Sequence, residues 1–309
     1  MTINIAVVGL GEIALSQHIP IIERSPLFKL VATVSRSKNY KSLSNFGSLD
    51  ELVFSGINVD AVALCIPPEP RFNIALQAFE LGFSVLLEKP VATSIAQAEI
   101  LEKKAAEHGV VVFSAWHSQY SPYINDVRNW VLQNGPSSFE INWHENVRKW
   151  HPDQKWISCS GGFGVFDPGI NALSILTEIM PYNYQPKRVS FTKPANWMTP
   201  IAASFDLESV EGVTGVVSLD WRHVGDELWD IQIKSKRGEL KLSKGGQVLF
   251  INGELMPEKS GWVSEYDSLY KKFYKLIKSN TSSITKDPLV IVADLFLNAC
   301  TKRTGEFHV

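Results

Sequence analysis

The sequence predicts an α/β protein in two parts: an N-terminal doubly wound parallel sheet of Rossmann type, then an α/β domain built on an open, mostly antiparallel sheet. Three observations carry this. Through about residue 115, short continuous apolar runs alternate with stretches whose apolar residues recur three and four apart, as strands buried on both faces and their covering helices do. Beyond that point the apolar runs change to alternation, the pattern of strands with one wet face. All nine tryptophans, Trp116 to Trp262, also lie in this later part. A length of 309 residues fits about two domains. The expected division is 1–116 for a nucleotide-binding domain and 117–309 for a substrate domain, with the C-terminal helices packing back on the first.

In chain order the first part reads "INIAVVG" as strand and "EIALSQHIPIIERS" as helix, then "KLVATVS" and "DAVALCIPP" as strands. Helix "RFNIALQAFELG", strand "SVLLEKP", helix "SIAQAEILEKKAAEHG" and strand "VVVFSAW" complete it. In the second part "SSFEINWHENV", "GVTGVVSLDWRHV", "ELWDIQIKS" and "GELKLS" alternate as antiparallel strands. Helices are predicted over 121–133, 167–180, 264–280 and 288–303. No internal repeat, low-complexity tract or long linker interrupts the series.

Composition excludes several roles. With 20% charged residues and a net charge of −2 there is no field to gather nucleic acid or anionic lipid. The opening "MTINIAVVGLG" is short, lacks a basic flank and runs into glycines, so it reads as neither signal peptide nor membrane span. Cys65, Cys159 and Cys300 are odd in number and follow no metal spacing. They argue against a disulfide framework and for a reducing, cytoplasmic setting. No histidine pair shows metal-ligand spacing on one helix, so no metal is expected.

The segment "VVGLGEIA" sets Gly9, Gly11 and Ala14 in G-x-G-x-x-[GA] spacing between a strand and a helix. Gly9 permits the tight turn, Gly11 lets backbone approach a pyrophosphate, and Ala14 keeps helix and strand close. The helix start at Glu12 and Ile13 then faces the phosphates, and this context points to a dinucleotide. Where an NAD enzyme usually places an acid after the second strand, "ATVSRSKN" has Ser35 and Arg36. A hydroxyl and a guanidinium suit a 2′-phosphate, so NADP is favoured and NAD is the alternative. The competing reading of Arg36 is a solvated loop cation. Ile66 and Pro67 end the "DAVALCIPP" strand, and Glu88 and Lys89 end the fifth; strand C-termini are where ligands sit in such sheets, so all four are cofactor-site candidates. Pro90 is a candidate cis proline.

Taken together, the glycine loop, "DAVALCIPP" and "LLEKP" resemble the Gfo/Idh/MocA oxidoreductase family, over nearly the whole chain. A third motif of that family, D-x-G-x-H, matches "FDPGIN" at Asp167 and Gly169 and departs at Asn171. The strings "AWHS", "VRKWHP", "GGFGVFDPGINALSI" and "DWRH" look like the bacterial L-arabinose/D-galactose 1-dehydrogenases of the family, where asparagine at that position is normal. The resemblance implies oxidation of an aldopyranose at C1 to the aldonolactone, and family analogy suggests a homodimer through the second sheet. Alternatives are another sugar or cyclitol dehydrogenase of the family (xylose, glucose, inositol), or a non-catalytic NAD(P)-binding regulator of a sugar pathway.

For the second domain, Pro168 fits only a first helical turn, which puts Asp167 at the N-cap with Asn171 one turn on and on the same face. Plain capping is the bland reading of Asp167. Strand alternation in "FEINWHE" places Phe139, Ile141, Trp143 and Glu145 on one face, making Glu145 a buried carboxylate. A salt bridge to Arg148 is its competing reading. His151 lies in a loop before Pro152, and His117 follows the last Rossmann strand. Trp150 and Trp229 are the candidate sugar platforms, since an indole packs well on the C–H face of a pyranose.

In the implied reaction Lys89 bonds the C1 oxygen, Asp167 holds the lysine and Asn171 donates its amide to that oxygen. The proton goes to Lys89 or to the Glu145/His151 pair, a choice the sequence leaves open. His117, Trp150, His151, Asn171 and Trp229 are the substrate-binding candidates.

Overall fold

In the computed structural model, which describes residues 2–309, the chain forms two units. One contains the residues up to His117 together with Val263–Lys286; the other contains Ser118–Trp262 with Asp287–Val309.

The first unit is a six-stranded sheet: β1 (Ile3–Val8), β2 (Phe28–Val34), β3 (Asn45–Phe46), β4 (Ala61–Leu64), β5 (Ser84–Glu88) and β6 (Val112–Ala115). Its order is β3-β2-β1-β4-β5-β6 and every pairing is parallel. Strands β4, β5 and β6 are buried at every residue, which is why the sequence shows them as unbroken apolar runs. After β1 comes a π-helical turn, Ala14–His18, in which the N–H of Ile19 reaches back to the carbonyl of Ala14; it continues as α1 (Ile19–Arg24). The other helices are α2 (Leu49–Phe54), α3 (Pro68–Glu80), α4 (Ile95–Glu107) and, from late in the chain, α8 (Glu265–Ser279). Helix α8 starts on Ser264, whose side chain accepts the N–H of Asp267. Its buried stripe of Tyr266, Leu269, Tyr270, Phe273 and Leu276 keeps helical spacing. Phe273 stacks with Phe28 at 6.1 Å and Phe113 at 5.9 Å.

The second unit begins with α5 (Ile124–Asn134), β7 (Pro136–His144), the short α6 (Val147–Trp150) and α7 (Phe166–Ile179). There follow β8 (Tyr184–Pro194), β9 (Ala202–Ser209), β10 (Thr214–Asp220), β11 (Leu228–Ser235), β12 (Gly238–Ser243), β13 (Val248–Ile251) and β14 (Glu254–Leu255). The last elements are α9 (Asp287–Asn298) and β15 (Cys300–Thr304). The sheet runs β14-β13-β12-β11-β7-β10-β9-β8-β15. It is antiparallel except where β7 meets β10 and β8 meets β15.

Phe139, Ile141, Trp143 and Glu145 are buried on one face, with Glu140 exposed on the other, as the alternation required. Against the inner face lies α7, nearly all of whose residues are buried. Gly169 makes that approach close: a Cβ there would stand 2.6 Å from Cδ1 of Leu219 on β10. The predicted helix over 288–303 is corrected. It stops at Asn298, and Cys300–Thr304 becomes an edge strand paired with Ser190–Pro194, because two β-branched threonines in five residues favour a pleated edge over another helical turn.

Candidate functional site

At the end of β1 the glycine turn has the geometry its spacing implied. Gly9 sits at φ +91°, and a Cβ on it would lie 2.7 Å from the Cys65 carbonyl oxygen; only glycine takes this place. Gly11 has no atom within 4 Å of where its Cβ would be, so backbone there is open to a ligand. Glu12 and Ile13 begin the helix, whose first N–H groups have no partner within it. Ala14 is fully buried beneath. The end of β2 carries no carboxylate; Ser35 is half-buried and Arg36 is exposed. An open glycine turn, a helix start and an exposed cation together fit a dinucleotide.

The β5 end is built with more support than its sequence showed. Lys89, half-buried, is joined to Pro90 by a cis peptide bond. Arg71, only 3% exposed, donates from Nε to the Ile66 carbonyl at 3.1 Å and also bonds the carbonyls of Glu88 and Pro90. One guanidinium thus ties the two candidate segments, Ile66-Pro67 and Glu88-Lys89, to each other. The Glu88 carboxylate is buried and accepts His18 Nε2 at 2.8 Å, the Tyr266 hydroxyl at 2.7 Å and the Lys89 N–H at 2.9 Å. Burial alone would push this carboxyl up. The hydrogen bond and field of His18, together with the Tyr266 hydroxyl, outweigh burial and hold it at about 2, below the usual 4.5. Burial and the Glu88 charge push the Tyr266 hydroxyl well up, so it remains a donor. His18 Nδ1 meets the Tyr270 hydroxyl at 2.8 Å. His117 of the same unit bonds Glu265 through Nδ1 and stacks on Tyr266 at 5.4 Å.

In the second unit a connected cluster forms. Asp167, 3% exposed, lies 3.2 Å from His151 Nε2. The His151 ring meets Trp221 edge-on at 5.1 Å. Trp221 donates its indole N–H to Glu145 Oε1 at 3.0 Å, and Trp229 donates to Oε2 at 2.9 Å. Trp150, 43% exposed, lies 5.7 Å from Trp229. Asn171 is half-buried one turn beyond Asp167. Asp167, His151, Glu145, Trp150 and Trp229 therefore belong to one cluster, whereas Lys89 and His117 are elements of the first unit.

Two expectations change. Asp167 is the second residue of α7, not its cap: its own N–H bonds the Gly164 carbonyl at 2.8 Å, and the cap position, Val165, makes no side-chain bond. The turn at Gly164, φ +54°, starts the winding early and frees the Asp167 carboxylate from capping. Nor does Glu145 bridge to Arg148, whose guanidinium lies over the Phe307 ring at 4.3 Å. Two indole donors hold Glu145 instead.

His18, Arg71, Trp221, Glu265 and Tyr266 escaped the sequence reading, as did Gln154, whose side-chain oxygen lies 3.2 Å from His151 Nδ1 and accepts the Trp156 indole N–H at 3.0 Å. His18 alone left a trace there: it is a polar residue among Ile19, Ile21 and Ile22 on a buried helix face.

Comparison with known proteins agrees with this fold. Residues 3–116 match the Gfo/Idh/MocA group described as "Oxidoreductase family, NAD-binding Rossmann fold". The chain is 39% identical over 294 residues to a galactose 1-dehydrogenase of Pseudomonas fluorescens, covering 95% of each. It superposes on the crystal structure of a D-galactose-1-dehydrogenase protein from Rhizobium etli with TM-score 0.93 and 38% identity, covering 99% of this chain and 98% of that one. A 3-ketoreductase from Actinomadura kijaniata, solved with NADP, shares the fold with TM-score 0.85 at 17% identity, over 98% of this chain and all of that one. By the extent and identity of these matches, the chain belongs to the Gfo/Idh/MocA oxidoreductase family.

Proposed function

We propose that this protein is an NAD(P)-dependent aldose 1-dehydrogenase that oxidises D-galactose and L-arabinose at C1 to the aldonolactone. The observation that carries the reading is the cluster of Asp167, His151 and Glu145 with Trp150 and Trp229; the 39% identity to a galactose 1-dehydrogenase supports it. Indole faces beside carboxylates are the furniture of a sugar site.

In this reading Gly9, Gly11, Glu12, Ile13, Ser35, Arg36, Ile66, Pro67 and Glu88 hold the dinucleotide. When bound, its nicotinamide takes up the hydride from C1. Lys89 stabilises negative charge on the anomeric oxygen, and Asn171 donates its amide to the substrate. Trp150 and Trp229 carry the apolar face of the ring, while Glu145 and His117 accept or donate to its hydroxyls. D-Galactose and L-arabinose differ by one hydroxymethyl group, a contact worth roughly 1–3 kcal/mol in a pocket, so both are substrates.

Steady-state kinetics on the two sugars and on inositol, with NADP⁺ and with NAD⁺, tests the proposal. Turnover of inositol with neither aldose active assigns a different family member. Tight cofactor binding with no sugar turned over favours the regulator reading instead. NADP is the preferred cofactor because Arg36 stands exposed where an acid would exclude the 2′-phosphate. Arg36→Ala therefore weakens NADP by about ten- to a hundred-fold, the value of a charge-assisted bond, and leaves NAD nearly unchanged in a titration of each.

A further inference from the structure

A helix of four residues such as α6 (Val147–Trp150) closes too few hydrogen bonds to offset the ordering of its own backbone. Its placement is therefore imposed by its neighbours, and each residue of the turn has its own anchor. Val147, fully buried, donates its N–H to the Trp221 carbonyl at 3.0 Å, and Asn146 before it accepts the Arg148 N–H at 3.0 Å. Lys149 pairs with Glu227 and lies over the Trp150 ring at 4.9 Å. Trp150 leans on Trp229 at 5.7 Å. Arg148 is anchored on the segment that follows β15, with its guanidinium over the Phe307 ring at 4.3 Å.

Phe307 is itself fixed, and through its backbone. Its carbonyl accepts Asn196 Nδ2 at 2.9 Å and the Trp197 indole N–H at 3.0 Å, and its own N–H donates to Asn196 Oδ1 at 2.9 Å. Glu306 and His308 on either side are exposed, so Phe307 is the residue that this segment turns inward. Trp197, 4% exposed, meets the Phe307 ring edge-on at 5.8 Å and the Trp221 ring edge-on at 6.4 Å. Trp221 in turn donates to Glu145 Oε1. Two lines of contact thus run from Phe307 to the cluster, one through Arg148 and one through Trp197. We propose that Phe307, clamped by Asn196, is a positioning residue that straps α6 in place through Arg148 and so presents Trp150 to the sugar. The presentation to a sugar rests on the dehydrogenase reading; the strap does not.

Phe307→Ala keeps the backbone clamp and removes the face on which Arg148 rests. Part of the population then has α6 unwound, and apparent affinity for the sugar falls with the fraction that stays wound. KM rises about three- to fivefold, the value of one exposed cation–π contact. The rate at saturation stays within about twofold of the wild type, because the complex with sugar is wound again. Phe307→Trp keeps an aromatic face and restores KM, whereas Phe307→Leu keeps bulk without that face and behaves as the alanine variant. Asn196→Ala frees the backbone with ring and guanidinium intact and raises KM in the same way, which covers failure of a variant at position 307 to fold. In a double-mutant cycle, Arg148→Met combined with Phe307→Leu loses no more than either change alone.

The readout independent of turnover is hydrogen exchange in the peptide spanning residues 146–152, where the Lys149 and Trp150 amides bond back to Asn146 and the His151 amide to Val147. Exchange about three- to fivefold faster there in Phe307→Ala, and as slow as in the wild type in Phe307→Trp, supports the strap. Unchanged exchange in Phe307→Ala overturns it, as do additive effects in the cycle. Faster exchange throughout β7 to β11 makes Phe307 a residue of general stability and also overturns it. Exchange that behaves as expected in a protein that oxidises no sugar upholds the strap and removes the dehydrogenase reading.

Discussion

Lys89→Ala abolishes most turnover, with kcat falling by roughly a hundred- to a thousand-fold, the loss measured when one preorganised charge-stabilising donor is removed. The dinucleotide still binds, within about threefold of its original affinity, because the loop does not depend on the lysine side chain. Its carbonyls are tied to Arg71 and its Lys89 N–H to Glu88, and alanine retains both. Single-turnover formation of reduced cofactor measures the first quantity and fluorescence titration the second. A near-normal rate would mean that the chemistry lies elsewhere. A matched loss of cofactor binding would make the lysine a cofactor ligand and not a participant in the chemistry.

His18→Leu costs about 3–5 kcal/mol of stability, the penalty for stripping one partner from a buried pair, although leucine matches the apolar surroundings of Ile19 and Ile22. The loss is electrostatic: Glu88 remains buried with one donor fewer. Adding Glu88→Gln recovers much of it in the double variant, because the uncompensated charge is gone. The pH dependence has a definite sign. In the folded wild type the Glu88 carboxyl is held at about 2 against an ordinary 4.5. Its contribution is therefore complete above pH 4.5 and is lost as the pH falls towards 2. Without His18, burial raises the carboxyl, and the penalty of the variant shrinks on acidification as Glu88 takes up its proton. Urea unfolding of both proteins at neutral and acid pH measures this. A penalty independent of pH would make the role of His18 one of packing.

How much of this was legible in the sequence depended on the range of the interaction. The parallel strands could be read because burial on both faces leaves unbroken apolar runs. The face carrying Glu145 could be read because the period of a strand is two. The glycine turn was readable from its spacing, and its two glycines do different jobs, one excluding a side chain and one leaving space. What sequence could not supply was partnership at long range. Glu88 and Tyr266 are 178 residues apart and Glu145 and Trp229 are 84 apart, and no local pattern connects them. Even the short-range contact of Gln154 was silent, since it depends on an indole two residues away aimed at one of its atoms. The error at the end of α9 had a different origin: a run that continues a helix by propensity was captured by the open edge of a sheet.

The π-helical turn after the glycine loop holds one residue more than an α-helical turn would. That surplus is a phase shift, which rotates everything beyond it by about 100° relative to what precedes. His18 closes the turn and owes its aim at Glu88 to that offset. A relative lacking one residue here would keep the glycines and still show an apolar helix face, yet would point a different side chain at Glu88. Loss of a single codon is ordinarily among the milder accidents of a surface segment. At this place it would rewire the ground on which Lys89 stands.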